Sequence, residues 1–130
     1  MPNKYAADTM ALILYLEERK LPIAVSKIFS EFEKQNCELL IPAMVIAEIG
    51  YLSERKRIDT NLKEVKQFLK KNKNARIEPM SFEIVETAFQ INNIPELHDR
   101  LIAATAIFTN AALLTNDPVI HACKSVKVVW

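Results

Sequence analysis

The sequence has 130 residues, half of them hydrophobic, with 17 basic and 16 acidic side chains and a formal net charge of +1. That length suits a single domain, residues 1–130, with enough apolar material for a core of its own. Its one glycine, Gly50, excludes Gly-rich phosphate loops, collagen-like repeats and long flexible linkers.

In chain order, Tyr5-Ala6-Ala7 reads as a short buried strand ending at Asp8. Residues 9–18 form an apolar helix. Its run 10–16 is too short to span a membrane, and the flanking Asp8, Glu17, Glu18 and Arg19 make it a poor signal peptide. Leu21-Pro22 opens a second helix reaching about Gln35. Residues 38–41 are a strand stopped by Pro42, and a strongly apolar helix covers 43–54. Residues 60–71 place Leu62, Val65, Phe68 and Leu69 at helical spacing under a basic outer face. A strand is predicted over 75–78. A helix over 81–91 is capped by Ser81, and another covers 97–108. A strand over 111–115, a short helix from Pro118 to about Cys123 and a strand over 126–130 close the chain. Short unbroken apolar strands alternating with helices predict an α/β fold, a mostly parallel central sheet flanked by helices in three layers.

Charge is unevenly spread. Residues 54–76 hold nine basic and three acidic side chains, so this stretch carries +6 and the remainder −5. Such a split suits a protein that holds cations in one place and touches phosphates in another, although a solvated helix face has the same composition. Two cysteines, Cys37 and Cys123, make neither a disulfide framework nor a zinc site. Idle thiols in a soluble, cytoplasmic protein with no membrane association are expected.

In an open parallel sheet, ligands gather outside the carboxyl ends of the strands. Asp8 and Asp117 each follow a predicted strand, Glu48 lies two turns into the helix after the second strand, and Asp99 lies in the first turn of its helix. Each aspartate has a bland reading as a helix cap or first-turn acid. Glu48 is harder to explain, because Val45, Ile49 and Leu52 flank it at helical spacing and a carboxylate buried there is costly unless paired. Four clustered carboxylates repel one another, and a hard divalent cation, Mg²⁺ or Mn²⁺, resolves that repulsion. A water acidified by such an ion can attack a phosphodiester. No serine, cysteine or histidine constellation offers a competing mechanism.

Four segments resemble the PIN-domain family. They are Ala6-Ala7-Asp8-Thr9-Met10-Ala11-Leu12-Ile13, then Ile41-Pro42-Ala43-Met44-Val45-Ile46-Ala47-Glu48-Ile49, then His98-Asp99-Arg100-Leu101-Ile102-Ala103-Ala104-Thr105-Ala106, and finally Leu113-Leu114-Thr115-Asn116-Asp117-Pro118-Val119-Ile120. The match runs through the whole chain in the family's order, and the length looks like that of VapC-type toxins of toxin–antitoxin pairs. The resemblance implies a PIN α/β sandwich and Mg²⁺- or Mn²⁺-dependent endoribonuclease activity. Asp8, Glu48, Asp99 and Asp117 would hold the ion and position the water, with Thr9 and Thr115 in support. It also implies a cognate antitoxin partner and a homodimer. Met10 departs from the Asn, Ser or His that many members carry, which puts in doubt a hydrogen bond at that position.

Around these acids, Arg100 reads as a supporting residue, either on a phosphate or paired with a carboxylate. His98 reads as a rim or hydrogen-bonded residue and His121 as structural. Arg55, Lys56 and Arg57 are candidates for steering RNA backbone toward the acids, or for a partner surface. Tyr15, Tyr51, Phe82 and Phe89 read as core or interface. The alternative function is a non-catalytic PIN-like module binding RNA or protein. A receiver-like phosphoacceptor is disfavoured, because no acidic pair follows the first strand.

Overall fold

A computed structural model describes residues 3–130. Five strands, β1 (Lys4–Ala7), β2 (Glu38–Pro42), β3 (Ala75–Glu78), β4 (Ala112–Leu114) and β5 (Val128–Val129), form one sheet in the order β3-β2-β1-β4-β5. Every neighbouring pair is parallel, with Tyr5 level with Leu39 on one side and with Ala112 on the other. The helices are α1 (Thr9–Leu16), α2 (Ile23–Glu33), α3 (Ala43–Glu54), α4 (Leu62–Lys71), α5 (Phe82–Phe89), α6 (Leu97–Thr109) and α7 (Pro118–His121). They complete the expected three-layer α/β sandwich.

The strands show why the sheet is covered on both faces. Ala6-Ala7, Leu39-Leu40-Ile41 and Leu113-Leu114 are consecutive residues, so they point alternately to opposite faces. All seven are at most 1% exposed. The edge strands behave differently, since Arg76 and Ile77 of β3 are exposed and both residues of β5 are only half-buried. Arg76 lies 2.7 Å from Glu78 of its own strand, and such a charged surface discourages pairing with another sheet.

Local chemistry sets the helix limits. The helix expected from residue 60 begins at Leu62 because Asn61 caps it, accepting from the Glu64 amide. Ser81 caps α5 as predicted, through the Ile84 amide. At its other end α6 stops on Asn110, which takes the left-handed conformation (φ 57°) that an asparagine tolerates better than most residues. The last strand shrinks from the expected five residues to Val128–Val129. Cys37 and Cys123 are buried free thiols. Among the described residues no helix is long and apolar enough to cross a membrane.

The strand order fixes where a site can form. From β1 the chain moves outward to β2 and β3, then crosses back to β4 and β5. The order therefore reverses between β1 and β4, leaving a crevice at their carboxyl ends.

Candidate active site

Asp8 and Asp117 stand on either side of that crevice. The Asp8 amide donates to the Leu114 carbonyl at 3.1 Å, so β1 stays tied to β4 up to the acid itself. One carboxylate oxygen of Asp8 caps α1, accepting from the Ala11 amide at 2.8 Å. Asp117 caps α7 through the amides of Val119 and Ile120, with Pro118 at the first helical position. Its own amide donates to the Thr115 hydroxyl at 3.1 Å. The capping readings of both residues are therefore correct, and each leaves a second carboxylate oxygen outside the cap.

Glu48 reaches the same place from α3. Its side chain is 27% exposed, between a buried carboxylate and an open helix face. It is not left free. The Thr9 hydroxyl donates to Oε1, and Nδ1 of His98 lies 3.5 Å from Oε2. Asp99 comes from the first turn of α6, where Glu96 caps the helix by accepting from the amides of His98 and Asp99 at 3.1 and 2.8 Å.

Two of the four acids, Asp8 and Asp99, are raised above the usual carboxylate range. Burial raises the Asp8 carboxyl, the Thr115 hydroxyl and Ala11 amide oppose this, and the charges of Glu48 and Asp117 raise it further. Asp99 is pushed up to about 6, first by burial, then by Asp117 and Glu96, by a hydrogen bond shared with Asp117, and by Glu48. Among the described residues, no three His, Cys, Asp or Glu side chains are already gathered into a metal-holding arrangement. The carboxylates are thus neighbours short of a ready-made shell. Their chemistry still fits one kind of ligand: all-oxygen donors, two of them close enough to share a proton, suit a hard divalent cation.

Glu96 had gone unnoticed as a contributor to this cluster. An acid just before an apolar helix, three residues ahead of Asp99, is the signal that would have found it. The other candidates are distributed as follows. Thr9 and Thr115 contact the acids directly. Arg100 does not form the expected ion pair: its Nε donates to the Ile94 carbonyl at 2.8 Å and its guanidinium lies over the Phe89 ring, 5.4 Å from the centroid. It braces the loop ahead of α6. His98 is on the rim, and Nε2 of His121 is bonded to the Thr115 carbonyl at 2.8 Å. Arg55, Lys56 and Arg57 are exposed at the end of α3. Arg55 lies seven residues past Glu48, on the same helix face and about 10 Å along the axis. Its guanidinium covers the ring of Tyr51, 4.6 Å from the centroid, and Tyr51 is exposed rather than core. Tyr15 is half-buried against the core and stacked on Phe29, whereas Phe82 and Phe89 are exposed on α5.

The model of the PIN domain family matches residues 5–124. The chain belongs to the PIN domain family. No curated protein matches it in sequence. Among solved structures, this PIN domain resembles VapBC2 from Rickettsia felis, solved bound to a DNA fragment from their promoter. The TM-score is 0.74 at 22% identity, with 98% of each chain covered. A toxin–antitoxin complex from Klebsiella pneumoniae matches with a TM-score of 0.68 at 18% identity, covering 97% of this chain and 96% of that one. VapC20 from Mycobacterium tuberculosis, a toxin described as cleaving the Sarcin-Ricin loop, matches with a TM-score of 0.63 at 11% identity, covering 95% and 98%. At these identities the likeness is one of fold.

Proposed function

We propose that this PIN domain is a Mg²⁺- or Mn²⁺-dependent endoribonuclease, the toxin of a toxin–antitoxin pair, acting in the cytoplasm. One observation supports the reading: after burial, the charges of Glu48 and Asp117 raise Asp8, and those of Asp117, Glu96 and Glu48 help push Asp99 up to about 6. The toxin role is supported by the neighbouring folds, among them toxin–antitoxin complexes and one toxin described as cleaving the Sarcin-Ricin loop.

Asp8, Glu48, Asp99 and Asp117 would hold the cation. When bound, it supplies an acidified water and neutralises charge on the scissile phosphate. The protein's own share is positional. Thr9 holds one oxygen of Glu48, and Thr115 supports Asp8 and Asp117. Glu96 fixes the first turn of α6 and with it Asp99. Arg55, Lys56 and Arg57 would carry the RNA backbone along α3 toward Glu48. A cognate antitoxin is the proposed protein partner. A second copy of the chain would cover Phe82 and Phe89, which are 73% and 62% exposed seven residues apart on one face of α5.

The test is cleavage of a generic RNA with Mn²⁺, with and without chelator, alongside Asp99→Asn. Mn²⁺ binding is read separately by calorimetry. Chelator-sensitive cleavage lost in the variant is expected. Equal cleavage by the variant overturns the assigned site. Binding of RNA with no cleavage under any metal would favour the non-catalytic alternative.

A further inference from the structure

A large apolar side chain stands exposed beside each of the four acids. Met10 is two residues past Asp8, Tyr51 three past Glu48, Leu97 two before Asp99 and Val119 two past Asp117, and their exposures run from 43% to 54%. Met10, Leu97 and Val119 lie in the first turns of α1, α6 and α7, the same turns that carry or follow an acid. Carboxylates that hold a cation, and a phosphate that joins them, have no use for apolar neighbours. Nucleobases do, because their flat faces stack on aromatic rings and guanidinium planes.

Tyr51 is the aromatic member of this group, and its surroundings hold the ring ready. It lies one turn past Glu48 on α3, about 4.5 Å along the axis. Helical side chains lean toward the N-terminus, which carries the Tyr51 ring back toward the turn of Glu48. Arg55, one turn further on, leans the same way, and its guanidinium lies over the ring at 4.6 Å from the centroid. Ala47, one turn earlier, is exposed and too short to cover the ring from that side. The ring therefore carries a cation on one side and stays 54% exposed.

We propose that Tyr51 stacks on a nucleobase of the bound RNA, next to the phosphate that meets Glu48, with Arg55 bracing the ring and taking the adjoining phosphate. A base shows its face to a side chain only when it is unpaired and turned out of its stack. This turn of α3 thus selects an unpaired nucleotide at that position. The inference rests on RNA entering the carboxylate crevice.

Binding is measured by fluorescence anisotropy in chelator. The probe is fluorescein-labelled oligoadenylate, either single-stranded or annealed to oligouridylate. Tyr51→Ala should weaken single-strand binding about tenfold, the worth of one stacked base. The duplex, whose bases are paired, should lose less than about twofold. Tyr51→Phe keeps the ring and should bind like wild type. Equal melting temperatures show that both variants are folded. Unchanged single-strand affinity in Tyr51→Ala, an equal loss on both RNAs, an equal loss in Tyr51→Phe, or no binding of either RNA by wild type overturns the proposal. Cleavage is scored separately with Mn²⁺. Absent cleavage with this binding pattern intact would end the nuclease reading and leave the stacking site standing.

Discussion

The Thr9 hydroxyl donates to Glu48, joining residues 39 positions apart and tying the start of α1 to the middle of α3. Asp8 is the neighbour of Thr9, so this one bond sets the spacing between two of the four acids. Thr9→Val removes the hydroxyl at similar volume and leaves Glu48 to swing. Cleavage should fall by about tenfold, the worth of one hydrogen bond to a charged group. Thr9→Ser should restore most of the loss. Single-turnover rates at saturating Mn²⁺ make the comparison, and a Val variant at full rate would remove Thr9 from the positioning role.

Asp99 predicts a stability effect with a definite sign. Its carboxyl rises from the usual 3.8 to about 6 on folding. A raised value means that the folded state holds this proton more tightly than the unfolded state. The stabilising contribution is complete below 3.8 and is lost as pH rises through about 6. In chelator at pH 7.5, the ionised Asp99 therefore strains the cluster. Asn there should raise the melting temperature by a few degrees while abolishing cleavage. The gain should vanish toward pH 4. Thermal melts across this range test it, and a pH-independent difference would contradict it.

Much of this was legible in the sequence, for a physical reason. Strands buried on both faces must be continuously apolar, so Ala6-Ala7 and Leu39-Leu40-Ile41 announced both their type and their place. Asp8 and Asp117 could be placed because they follow strands, and Asp99 because it opens a helix, where chain order dictates position. What could not be read is side-chain direction across long separations. Arg100 adjoins an acid in sequence but bonds a carbonyl six residues back. Glu48, bracketed by Val45 and Ile49, looked buried, yet the exposed Ala47 beside it shows how narrow the covered stripe of α3 is.

Arg55 and Tyr51 predict how substrate binds. Arg55 stacks on Tyr51 without a carboxylate partner among the described residues, so its charge stays available to a phosphate. Arg55→Ala should raise KM for RNA, leave kcat intact and reduce the salt dependence of binding by about one unit of logarithmic slope. Affinity measured at several salt concentrations decides this. An unchanged slope would place the RNA elsewhere.

Gly50 makes an unusual prediction for the only glycine in the chain. It sits inside α3, where a glycine costs about 1 kcal/mol against alanine. An added Cβ would come within 3.3 Å of Cδ1 of Leu62 and 3.6 Å of its Cδ2 and Cγ. That contact is tight, but it meets the far end of a flexible side chain that is 48% exposed and free to turn outward. Gly50→Ala should therefore stabilise the protein, by up to about 0.5–1 kcal/mol. Urea melts measure it, and a loss of stability would mean that Leu62 is held more firmly than its exposure implies.

Glu17 provides the opposite pH signature to Asp99. Its carboxylate leaves the end of α1 to accept from the hydroxyl and amide of Thr60, at 2.8 and 3.0 Å, and from the Asp59 amide at 3.2 Å. Thr60 is itself 1% exposed, so this carboxylate anchors the turn before α4 to α1. Burial alone would raise its proton affinity, but the Thr60 hydroxyl, the two amides and Arg19 outweigh burial and hold it below the usual 4.5. A lowered value means stability present above 4.5 and lost as pH falls through the folded value. Glu17→Gln keeps the shape and removes the charge. It should cost about 1–2 kcal/mol at neutral pH, and the difference from wild type should close in acid, once the native carboxyl is protonated too. Urea melts at neutral and acid pH distinguish this from a simple packing defect, which would cost the same at both.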